Sequence, residues 1–209
     1  MNSHLPTIIN TIKGSKNDLA HYAETVVDLV IDNEFWENVP IVEHAIKLLN
    51  IRNLYYKNRL KRNYAAFILS VGTMNDAEIN KYSEILFSSG DLGIESAETI
   101  FEIISESEKP IKAELLGNLS VSLSRQQISL EDYNTILLVI QSASVAALRA
   151  LQAFLNANGL SRYKSGYGRI KEEGLLLSLG VATRYGNMFR INDIGILLAT
   201  HGLKLNVTP

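Results

Sequence analysis

The sequence predicts a mainly α chain: a multi-helix bundle followed by a C-terminal winged-helix-like segment with one β-hairpin. Three observations lead there. Apolar residues recur every three or four positions through most of residues 18–157, the period of a helix with one buried face. Hydrophobic residues make up 46% of 209 and prolines number four, so a sizeable core and long uninterrupted helices are both affordable in composition. Near the end, Gly186-Asn187 joins two short β-prone runs in "VATRYGNMFRI", a strong hairpin signal.

The elements follow in order. "DLAHYAETVVDLVID" places Leu19, Tyr22, Val26, Leu29 and Val30 on one helical face. Pro40 suits the first turn of the next helix. From Val42 the apolar positions Ala45, Ile46, Leu49, Tyr56, Leu60, Tyr64, Phe67 and Val71 hold one stripe, which predicts a single helix of about 30 residues, roughly eight turns. Gly72 stops it and Asn75 or Asp76 caps its successor. "AEINKYSEILFSSG" and "GIESAETIFEIISESE" read as two amphipathic helices divided by "SSGDLG". Lys109-Pro110 interrupts the pattern before "IKAELLGNLSVSLS", "SLEDYNTILLVIQSA" and "SVAALRALQAFLNANG". Ser129 with Asp132 resembles a capping box, and Asn158-Gly159 is a helix stop. "GLSRYKSGYGRIKEEG" reads as a loop entering a helix near Arg169 to Leu179. After the hairpin, Asn192 or Asp193 caps a last helix ended by Gly202. Residues 1–159 thus form a helical domain and 160–209 a winged-helix-like module, two parts that can also build one continuous domain.

The chain lacks cysteine, which excludes disulfides, thiolate metal sites and cysteine nucleophiles. The N-terminus has no leader-like apolar core, and no run approaches the ~20 apolar residues of a spanning helix. We therefore expect a cytoplasmic protein. Four dispersed histidines make no metal motif, and no phosphate-binding, dinucleotide or nucleophile-elbow pattern occurs. His44 reads as a partly exposed helix residue, and the carboxylates Glu95, Glu98 and Glu102 as a solvated face. No catalytic residue, metal or cofactor is expected.

Charge is arranged in blocks although the net value is only −2. Residues 44–75 hold Lys47, Arg52, Lys57, Arg59, Lys61 and Arg62 with no acid, whereas 76–114 hold ten acids against three lysines. On a continuous helix, Tyr56, Leu60 and Phe67 fall within about 20° of Leu49, with Tyr64 and Val71 within about 60°. Arg52, Tyr55, Arg59 and Arg62 then lie on one flank of this seam and Lys57 and Lys61 on the other. The tail adds Arg162, Lys164, Arg169, Arg184 and Arg190, seven cations in all against three acids from Leu160 onward. The favoured use of these cations is a protein interface, either with an acidic partner or with the chain's own acidic block in a homo-oligomer. Nucleic-acid binding by the basic flank and the C-terminal wing is the alternative. Association with a membrane surface comes third, because a tyrosine-rich stripe makes a poor membrane wedge.

Three segments carry a resemblance to a family. "NEFWENVPIVEHAIKLLNIRNLYYKNRLKRNYAAFI", "KAELLGNLSVSLSRQQISLEDYNTI" and "LLLSLGVATRYGNMFRINDIGILLATHGL" are similar to parts of the abortive-infection alpha family of bacterial and prophage proteins, a domain of unknown function. The likeness spans Asp32 to Leu203 with gaps. Asn192-Asp193 stands where that family usually has threonine, and 76–108 matches only in polarity. The resemblance implies a helical bacterial protein of phage defence or a mobile element, and it brings no catalytic residues with it.

Overall fold

A computed structural model describes residues 4–19, 40–166 and 170–208. Among the described residues eight helices come first: α1 (His4–Leu19), α2 (Pro40–Leu48), α3 (Leu54–Val71), α4 (Asp76–Ser88), α5 (Gly90–Glu106), α6 (Ile111–Ser124), α7 (Leu130–Ser142) and α8 (Val145–Ala157). The C-terminal part runs β1 (Tyr163–Ser165), α9 (Glu173–Ser178), β2 (Ala182–Tyr185), β3 (Met188–Ile191), α10 (Asp193–Leu197) and a π-helical turn, Leu198–Gly202. Mainly α architecture with a C-terminal hairpin is therefore what the chain adopts. The helix expected from "DLAHYAETVVDLVID" lies, beyond Leu19, outside the described residues.

The centre of the bundle is α6. Nearly every side chain from Leu115 to Ser124 is buried, so this helix is apolar or satisfied all round rather than amphipathic. Ser120 Oγ bonds back to the Leu116 carbonyl at 2.9 Å and Ser124 Oγ to the Val121 carbonyl at 2.7 Å. α3 lies closely along it. Gly117 makes that approach possible, because a Cβ there would sit 2.5 Å from Ser70 Cβ and 2.8 Å from the Phe67 carbonyl oxygen. On the other side, Ser120 meets the buried phenols Tyr82 of α4 and Tyr133 of α7, whose hydroxyls stand 3.0 Å apart. Burial pushes both phenols above their ordinary pKa.

The C-terminal part shares this core: Leu176, Val181, Phe189, Ile191 and Leu198 belong to the same buried cluster as the bundle. Asn118 Nδ2 donates to the Gly202 carbonyl at 2.8 Å, and His201 Nδ1 lies 3.1 Å from Ser122 Oγ, so α6 grips the π-helical turn. The segment read as a loop from "GLSRYKSG" contributes β1, which turns the expected hairpin into a three-stranded antiparallel sheet of order β1-β3-β2. Three residues of β1 have no periodicity to betray them, and their partner β3 lies some 25 positions downstream. The hairpin turn falls at Gly186 as expected, with φ +58. The helix expected near Arg169 to Leu179 shortens to Glu173–Ser178, and Arg169 lies outside the described residues.

The long basic helix is corrected as well. It is broken between Leu48 and Leu54. Downstream of the break, Leu60, Tyr64, Phe67 and Val71 are buried as the stripe requires. Tyr56 and Leu49, assigned to the same seam, are exposed, at 45% and 39%.

Candidate functional site

The break between α2 and α3 is built by two asparagines. Asn50 takes a left-handed conformation, φ 48, which asparagine tolerates better than most residues. Ile51 N–H then donates to the Ile46 carbonyl at 3.0 Å, closing the end of α2. Asn53 is extended and its side chain accepts from Tyr55 N–H at 2.8 Å, opening α3. The turn projects Leu48, Leu54, Tyr55 and Tyr56 into solvent; Leu54 is 70% and Tyr55 62% exposed.

Beside the turn is a cleft of about 610 Å³ lined chiefly by Ile51, Arg52, Tyr56, Arg59 and, from the end of α5, Ser105 and Glu106. The Arg59 guanidinium lies 4.8 Å over the Tyr56 ring, a cation–π contact. Its Nε is shielded from solvent and has no hydrogen-bond acceptor, a state that usually costs about 1–3 kcal/mol when neutral groups are involved and more for a charge. Arg52 Nε reaches only the exposed Asn50 Oδ1, at 3.3 Å. One turn further along α3, buried Asn63 donates from Nδ2 to the Ile104 carbonyl at 3.1 Å and the Ser107 carbonyl at 2.7 Å. These are terminal carbonyls of α5 that would otherwise lack partners. Asn63 thereby fixes the end of α5, and with it Glu106, against the face that carries Arg59. Glu106 also borders a second cavity of about 420 Å³ with Glu102, Glu108, Lys112 and Gln141. There Lys112 Nζ donates to the Gln141 carbonyl at 2.7 Å, and burial holds its pKa below lysine's ordinary value.

No protein-family model, curated protein or solved structure matches this chain.

The expected site residues divide between separate places. Arg52, Tyr55 and Arg59 gather around the break, joined by Tyr56 from the expected seam, but Arg52 precedes the cap of α3 and is not on the helix. Arg62 is exposed on the same helix. Lys57 and Lys61 occupy the other flank, half-buried, and Lys61 is lowered by burial and then by the charge of Lys57. In the tail, Arg184 forms a two-pronged pair with Glu173, and Arg162 pairs with Asp193 at 2.6 Å. Each of those two guanidiniums is thus paired with an acid of the same C-terminal part. Lys164 and Arg190 are exposed on the sheet.

One constellation has no counterpart in the sequence pattern. His4 of α1 meets His44 of α2, ring centroids 5.4 Å apart, and both rings contact Phe101 of α5. His4 Nδ1 and His44 Nε2 are buried without partners. Burial, then the neighbouring His44, lowers the His4 pKa against the opposing pull of Glu98 and Glu102. Among the described residues no cluster of three or more His, Asp or Glu is placed to hold a metal. No single described helix is long and apolar enough to cross a membrane. The chemistry the α2–α3 cleft can offer is recognition of an anionic group next to an apolar one.

Proposed function

We propose that the chain is a non-enzymatic interaction module that docks a protein segment in the α2–α3 cleft. The partner presents a carboxylate to Arg59 and Arg52, and an aliphatic side chain to Leu54, Tyr55 and Tyr56. The observation that carries this is the shielded Arg59 Nε without an acceptor, beside uncovered leucines and tyrosines. Tyrosine and arginine dominate the energetics of interfaces, and a contiguous exposed apolar patch usually marks one. We further propose that the setting is phage defence or a mobile element. That part rests on the resemblance of the three quoted segments and not on the cleft.

The docking test is a peptide of alternating Glu and Leu, fluorescently labelled, titrated by anisotropy alongside light scattering of the chain at rising concentration. Peptide binding that Arg59→Glu abolishes supports a foreign partner. A concentration-dependent mass that the same substitution abolishes supports a second copy. A monomer that ignores the peptide overturns the proposal. For the setting, plaque counts on bacteria expressing the chain should fall, and fall less with Arg59→Glu; unchanged counts dismiss it.

A further inference from the structure

The three-stranded sheet has a covered face and an open one. Along β3, Phe189 and Ile191 are buried while Met188 and Arg190 are exposed, the alternation of a half-buried strand. The register carries this outward: Tyr163 and Thr183 oppose Arg190 from the two sides, and Ser165 and Tyr185 oppose Met188. The open face therefore joins Tyr163, Thr183, Tyr185, Met188 and Arg190 around a shallow depression of about 200 Å³. Tyr185 is 91% exposed.

Charge decides what kind of ligand suits this face. Among the described residues its lining carries a guanidinium and no acid, and the carboxylate within electrostatic reach of Arg190 is Asp193. Of the three acids in the module, Glu173 is held by Arg184 and Asp193 by Arg162, while Glu172 sits half-buried before α9. Arg162 also stacks on the Tyr163 ring at 5.5 Å, whereas Lys164, opposite Phe189, alternates to the other face. The two tyrosines are separated by β3 and offset by two residues along it, roughly 12 Å apart, room for two bases splayed apart and not for a continuous stack. The only helix between β1 and β2 among the described residues, α9, is six residues long and exposes Leu175 and Leu177, so no recognition helix is offered to a duplex groove.

We infer that this face binds single-stranded nucleic acid, with Tyr163 and Tyr185 stacking bases and Arg190 contacting the backbone. Sequence-tolerant binders of single strands use the same pairing of aromatic faces with basic groups. The site is separate from the α2–α3 cleft and does not depend on the docking proposal.

Anisotropy at low salt with a labelled 12-mer of thymidine, the matching uridine 12-mer and a duplex of equal length tests it. Either single strand should bind more tightly than the duplex. Tyr185→Ala should weaken binding about tenfold or more, while Tyr185→Phe, which keeps the ring, should bind as the parent does. Arg190→Gln should flatten the salt dependence by about 0.7 in log K per log salt, one phosphate contact on a single strand. Because Tyr185 lies almost wholly in solvent, its removal should leave the circular dichroism spectrum and unfolding midpoint unchanged. No binding of either single strand, preference for the duplex, or indifference to Tyr185→Ala in a folded protein each overturns the inference. So does a finding that Tyr185→Ala abolishes self-association instead, which would make the face a protein contact.

Discussion

Replacing Tyr133 by phenylalanine should destabilise the fold more than the same change at Tyr82, and the pair should be far from additive. With Ser120 Oγ donating to the Leu116 carbonyl, the shortest contacts set one order for the other two hydroxyls. Ser120 Oγ donates to the Leu116 carbonyl at 2.9 Å, Tyr133 donates to Ser120 at 2.9 Å, and Tyr82 donates to Tyr133 at 3.0 Å. Tyr82 is the end of that chain and Tyr133 its middle. Tyr82→Phe removes one buried bond and strands no donor, a loss of about 1 kcal/mol. Tyr133→Phe removes two bonds and leaves the buried Tyr82 hydroxyl without an acceptor, since Ser120 Oγ, 3.3 Å away, is placed to donate to it, so about 2–3 kcal/mol is expected. The double variant loses the same two bonds without the stranded donor and should cost about 1–2 kcal/mol, less than Tyr133→Phe alone. Urea denaturation of the four proteins, with equal slopes, measures the cycle. Additive losses, or Tyr82→Phe costing as much as Tyr133→Phe, would refute the donor order.

Gly117→Ala should destabilise by about 1–3 kcal/mol in the same assay, since its methyl meets backbone at the α3–α6 contact and neither helix can retreat without opening the core. Leu60→Ala should cost about 2–5 kcal/mol whereas Tyr56→Ala should stay within about 0.5 kcal/mol; equal losses would mean the two share one buried seam after all. Asn63→Ala should cost about 1–3 kcal/mol and speed hydrogen exchange at the end of α5, where two carbonyls lose their donor. Thermal stability should fall on acidification. His4 and His201 are both held below the ordinary value of 6.5, so the unfolded chain takes up protons first. The stability is complete above 6.5 and is lost as pH falls below it, and His4→Phe should flatten that slope. A midpoint unchanged between about pH 7 and 5 would contradict the lowered values.

The features legible in the sequence were those whose cause is local. Ser129, Asn75 and Asn192 cap α7, α4 and α10 through bonds to N–H groups three residues on, and such residues announce themselves by type and spacing. The break at 49–53 was hidden because Leu49 and Tyr56 keep helical spacing across it. Periodicity records where apolar residues recur, and it is blind to a backbone that leaves the helix and re-enters in register. Asn50 and Asn53 were the available signal, since asparagine tolerates the left-handed conformation and its side chain competes for backbone bonds outside helices. The rest of the cleft depends on contacts between distant segments. Asn63 reaches 41 and 44 positions along the chain, and His4 meets His44. β1 exists only because β3 offers it an edge. The tail cations failed as a uniform patch for a related reason: composition counts charges, and it does not say that Arg162 and Arg184 each face an acid of their own.

The turn at 49–53 also changes how the basic segment tolerates change. In an unbroken helix one inserted residue rotates everything downstream by about 100° and would swing Leu60, Tyr64 and Phe67 out of the core. Here an insertion can be taken up by the turn, because Asn53 restarts α3 and resets its phase. The turn is free to vary in length while α2 and α3 each keep their packed register. The cleft thus sits at an elastic joint in the sequence, where its mouth can be reshaped for a new partner without repacking the bundle.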